Sequence, residues 1–177
     1  MKQDSLVMVR GGGDLGSGVV FRLACAGYRV VVLEAEHPTV VRRKVSFAQA
    51  VLDGHASVEG LFSISTTLIE LETAAVRPGF WNPDDGEGQP VPVVVDPEGR
   101  SLDILSPDVV VDARMAKRNL GTDMDDAPLT IGLGPGFEAG RDVDLVVETN
   151  RGHRLGRVLR PGPAEPDTGI PAASLGG

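Results

Sequence analysis

A chain of 177 residues with 41% hydrophobic content is long enough for one α/β domain with a real core and too apolar to be disordered. A net charge of −8 argues against non-specific nucleic-acid binding, which needs a basic face, and no apolar run approaches the roughly 18–20 residues that span a membrane. The single cysteine, Cys25, excludes an intrachain disulfide, and the N-terminus lacks the apolar core of a signal peptide, so the expected location is the cytoplasm.

Residues 6–9 (LVMV) read as a buried strand that ends at glycine. Helical spacing of Leu15, Val19, Leu23 and Ala26 predicts a helix over residues 14–26, with Gly27 as its stop. A second apolar run, residues 29–34, completes a βαβ unit. Residues 46–52 read as a short helix stopped by Gly54, residues 57–67 as a strand region and residues 67–76 as a helix. Residues 77–90 are a loop by composition. Further strands are expected at 91–96, 108–112, 129–133 and 145–149, with an edge strand at 157–159. Pro92 places the first of these in a sheet interior only from Val93 onward. Residues 161–177 lack periodicity and read as an irregular tail to a domain of residues 1–160. Strands alternating with helices predict an α/β, Rossmann-like three-layer fold with a mostly parallel, partly mixed sheet.

The chemistry concentrates where strands end. Gly11-Gly12-Gly13-Asp14-Leu15-Gly16 matches G-x-G-x-x-G between strand and helix, with Glu34 at the end of the second strand. Gly11 permits the turn, Gly13 lets a phosphate approach the backbone, and Gly16 lets the helix pack on the strands. Glu34 is placed to accept from a ribose diol. The loop 10–18, Arg10 included, is therefore the first candidate for a nucleotide-type ligand; the alternative is that the glycines only make the turn. Asp14 sits where a pyrophosphate would lie and repels it, unless it caps the helix or holds a cation.

Three further strand ends follow. Asp112 precedes Arg114, Lys117, Arg118 and Asn119, a charged cluster suited to a charged ligand or to a solvated turn. Gly134 and Gly136 lie in a second glycine-rich loop, Gly-Leu-Gly-Pro-Gly. Asn150, Arg151 and His153 follow the strand at 145–149. The three histidines are scattered and one cysteine offers no zinc spacing, so no metal site is expected. Neither G-x-S-x-G nor G-x-x-x-x-G-K-[ST] occurs, and no catalytic residue is assigned.

VRGGGDLGSGVVFRL, LEAEHPTVVRRKVSFAQAV, VVVDARMAKRNLGT, PLTIGLGPGFEAGRDVDLVVETNRGHRLGRV and AEPDTGIP resemble the YqeB-like family of selenium-dependent molybdenum hydroxylase system proteins, related to xanthine dehydrogenase accessory proteins. The resemblance implies a Rossmann-like fold and an accessory role in maturing or supporting molybdenum hydroxylases. With the glycine loop, it leads to the expectation of a molybdenum hydroxylase as partner and of a nucleotide or the nucleotide-bearing molybdenum cofactor as ligand. The matching positions are Gly11, Gly13, Asp14, Gly16, Asp112, Lys117, Asn119, Gly134, Gly136, Asn150, Arg151 and His153. Members of the family continue beyond the equivalent of Gly177, so the chain is expected to be a short form or a fragment. The rival expectation from the residues alone is an NAD(P)-dependent oxidoreductase using the same loop, with Glu34 favouring NAD and Arg42 and Arg43 leaving NADP open.

Overall fold

The computed structural model describes residues 5–75 and 90–167. The first βαβ unit is β1 (Leu6–Arg10), α1 (Asp14–Cys25) and β2 (Arg29–Glu34). It continues through α2 (Gln49–Asp53), β3 (His55–Val58), β4 (Leu61–Thr66), α3 (Leu68–Ala75), β5 (Val91–Val95), α4 (Arg100–Leu105) and β6 (Val109–Asp112). The later part is nearly all strand: β7 (Thr130–Leu133), β8 (Glu138–Ala139), β9 (Leu145–Val147), β10 (Val158–Leu159) and β11 (Gly162–Pro163).

Nine strands form one sheet in the order β10-β9-β7-β6-β1-β2-β5-β4-β3, and β8 pairs with β11 apart from it. The seven inner strands are parallel to their neighbours, and only the outermost, β3 and β10, run antiparallel. The sheet is thus mostly parallel and partly mixed, as the alternation of elements predicts. Pro92 pairs with Ile64 of β4, whereas pairing with β2 begins at Val93, so the missing proline N–H falls beyond the reach of β2.

Side chains alternate across the central strands. Val7, Val9 and Val32 face α1 and α2 with Val20 and Phe47, while Leu6, Met8, Val31 and Leu33 face α3 and α4 with Leu71 and Leu102. Each fully buried aliphatic side chain contributes about 1.5–3 kcal/mol, so the two cores together hold three layers.

Helix α1 departs from its predicted phase. Leu15 is half exposed and Ala26 exposed, while Gly16, Ser17 and Val20 turn inward. The cause is Gly16: a Cβ there would overlap the Gly11 carbonyl oxygen, so the helix meets the strand at its smallest residue and Leu15 is turned out. The stretch read as the start of an irregular tail lies against the domain. Strand β11 pairs with β8, Ala164 is buried, and the Glu165 N–H donates to buried Glu148 at 2.8 Å. Residues 77–89 of the expected loop and residues 168–177 lie outside the described residues.

Candidate functional site

The chain leaves β1 to form β2 on one side, and returns from β5 through α4 to place β6 on the other. A ligand crevice is expected at such a switch, at the carboxyl ends of the strands. Arg10 pairs in register with Leu33 and with Asp112, so the ends of β1, β2 and β6 meet there.

The glycine loop takes three of its shapes from self-packing. Gly11 has φ +96°, and a Cβ on it would stand 2.9 Å from the Arg114 Cα, so only glycine fits. The Gly12 carbonyl accepts from Ser17 Oγ at 2.9 Å, Ser46 Oγ at 2.7 Å and Ala48 N at 2.9 Å, which closes one flank under residues 46–48. Gly16 abuts Gly11. Gly13 differs: its φ is −61°, it begins α1 without a side-chain cap, and among the described residues nothing lies within 4 Å of the place a Cβ would take. Asp14 holds the chain's own cation, Arg42, whose Nε donates to Oδ2 at 2.7 Å.

Glu34 folds back on this loop. One carboxylate oxygen accepts from Gly12 N and the other from Ala35 N, both at 2.8 Å. On its other side Glu34 lines a cleft of about 240 Å³, together with Arg10, Leu33, Ala35, Asp96, Pro97, Arg114 and Leu120.

The floor of the cleft is ionic. Asp112 is buried and accepts from Arg114 Nε at 3.0 Å, from Arg114 Nη2, and from Thr122 Oγ1 at 2.6 Å. Arg10 is buried beside it, and its Nη1 donates to Thr122 Oγ1 at 3.0 Å and pairs with Asp126 at 3.4 Å. Burial, and then the like charge of Arg114, lower its pKa from the ordinary arginine value. Asp96 caps α4, accepting from Gly99 N, Arg100 N, Ser101 N and Ser101 Oγ at 2.5–3.0 Å. Burial would raise its pKa, but the bonds from Ser101, Arg100 and Gly99 outweigh burial and hold the carboxyl below its ordinary range.

Most of the remaining sequence candidates are engaged by the fold. Asn119 makes a turn, donating to Thr122 O and accepting from Gly121 N and Thr122 N. Lys117 pairs with Asp167 at 2.8 Å. Gly134 (φ +73°) packs on Thr149, and Gly136 (φ +102°) would set a Cβ 2.5 Å from the Arg118 Cα. Asn150 donates to Glu165 at 2.7 Å, while Arg151 and His153 are exposed. Among the described residues no hydrogen bond or ion pair joins Asn150, Arg151 or His153 to the glycine loop. The structure therefore brings together Arg10, the loop, Glu34, Asp112 and Arg114 of the charged cluster, and adds Asp96 and Leu120, which sequence reasoning did not assign. Asp96 carried a readable signal, since it ends its strand in an acid as Glu34 and Asp112 do. Among the described residues no group of three or more His, Cys, Asp or Glu is arranged to hold a metal, and no helix is long and apolar enough to cross a membrane.

No family model and no solved structure matches the chain. The uncharacterized protein YqeB of Escherichia coli (strain K12) is 49% identical over 172 residues, which are 97% of this chain and 30% of that relative. The chain thus spans under a third of the length of the relative that it matches.

Proposed function

We propose, for a chain that belongs with the YqeB-like proteins over 97% of its length, that the carboxyl edge of the sheet binds a nucleotide-type ligand, the nucleotide of the molybdenum cofactor included. In that role the protein assists maturation or support of selenium-dependent molybdenum hydroxylases in the cytoplasm. Glu34 carries this reading. It ties the open glycine loop to the cleft, and each of its oxygens accepts one N–H, which leaves acceptor capacity on both for a ribose diol. Gly13 leaves room for a phosphate beside the uncapped start of α1, and Arg42 offsets the charge of Asp14 there. Leu33, Ala35, Pro97 and Leu120 give the cleft apolar walls for a base. The test is co-purification of the full chain with a molybdenum hydroxylase or with the cofactor nucleotide. Enrichment of either supports the reading, and absence of both overturns it.

The position of Glu34 also favours a second reading, an NAD-dependent oxidoreductase using the same site. Calorimetric titration with NAD(H) and NADP(H) separates the two. Without heat or thermal stabilisation at millimolar cofactor the oxidoreductase reading fails.

A further inference from the structure

The turn between β9 and β10 is a basic stretch of an acidic chain. Residues 149–160 carry Arg151, Arg154, Arg157 and Arg160 with no acidic residue, in a protein of net charge −8. All four arginines are exposed. Elsewhere Arg10, Arg42, Arg100, Arg114 and Arg141 each hold a carboxylate. Among the described residues Arg151, Arg157 and Arg160 hold none, and Arg154 only approaches Glu165 at 3.9 Å.

The arginines do not stand alone. Leu155 is 58% exposed and Val158 54% exposed between them. Strand β10 closes the sheet at this end, and among the described residues no strand pairs with its outer edge. Apolar side chains within a rim of arginine are the make-up of a protein contact. Leu155 and Val158, exposed between the arginines, suit the apolar centre of a protein contact rather than a phosphate backbone. Like charge on an edge strand also keeps identical copies apart, so a second copy of this edge is not the partner.

We infer that this hairpin is a docking surface for an acidic protein, with Leu155 and Val158 at the centre of the contact and the four arginines steering and orienting it. The surface is separate from the nucleotide cleft and stands whether or not that cleft is filled.

The experiment places a benzophenone side chain at position 155 of the full chain, cross-links in cells, and maps the cross-linked segment. The captured protein is then purified and titrated with the wild-type chain and with the double variants Arg154→Glu/Arg157→Glu and Arg154→Ala/Arg157→Ala. A short DNA duplex and phosphatidylserine vesicles serve as rival probes. The expected result is an acidic cross-linked segment, binding that weakens with added salt, and an affinity lowered by about ten-fold or more on charge reversal. The alanine pair carries the same test if charge reversal disturbs folding. Capture of no protein, capture through a segment without acidic residues, equal affinity of the variants, or tighter binding to the duplex or vesicles each overturns the inference. Nucleotide titrations of the same variants remain at wild-type affinity if only the docking surface is altered.

Discussion

Two glycine-rich loops leave the carboxyl edge of this sheet, one after β1 and one after β7, and they use glycine differently. At and after the end of β7, Gly132 faces the Phe137 ring, Gly134 meets Thr149, and Gly136 rests on the backbone of Arg118. Every one of these glycines is filled by the chain. After β1, Gly11, Gly12 and Gly16 are also filled, but among the described residues nothing lies within 4 Å of a Cβ on Gly13, and Glu34, which bonds the neighbouring Gly12, lines the cleft. Glycine spacing alone marks close backbone approach without saying what approaches. The three-dimensional neighbours decide it, and of these two loops only the first has a glycine, Gly13, with an open flank among the described residues.

Substitutions test this contrast. The largest loss is expected for Gly136→Ala, which combines a left-handed backbone with overlap of a neighbouring main chain, and costs about 3–4 kcal/mol. Thermal unfolding should show a fall of roughly 10 °C for a chain of this size. Asp112→Ala probes the floor shared by both halves. It leaves Arg114 and Arg10 without their common carboxylate neighbour and costs about 3 kcal/mol by denaturant titration.

Asp96→Ala removes the cap of α4 and costs about 2 kcal/mol. Because the Asp96 pKa is lowered on folding, its stabilisation is complete above the unfolded carboxyl value near about pH 4 and is lost as pH falls through the folded value. The stability gap between wild type and Asp96→Ala should therefore close in acid and stay constant near neutrality. The smallest effect on stability belongs to Gly13→Ala, within about 0.5 kcal/mol, because its backbone is ordinary and its flank empty. A large loss at Gly13, or none at Gly136, would erase the distinction between the two loops.

The sequence exposes this contrast only in part. The first βαβ unit is legible to within a residue at its strands, because apolar runs and a glycine turn bound each element. The phase of α1 is not, since the contact of Gly16 with Gly11 outweighs the hydrophobic pattern. Helix α4 has six residues, too few to show a period, and its cap Asp96 lies four positions before its first residue. The four-residue β3 is too short for its alternation to stand out. Within the site, Gly11, Gly13, Gly16 and Glu34 are visible as a spacing. That Glu34 bonds Gly12, or that Arg114 chelates Asp112, depends on how loops from distant strands meet. The segment 161–167 reads as a tail because its bonds to Glu148, Asn150 and Lys117 are all long-range.

The central claim is that the open flank of Gly13 and the acceptor Glu34 form one ligand site. The most direct measurement is a calorimetric titration of wild type and Gly13→Val with the cofactor nucleotide, each variant checked for an unchanged melting temperature. The account predicts binding to wild type and loss of binding in a Gly13→Val protein that remains folded. Equal binding by both proteins, or binding by neither, would contradict it.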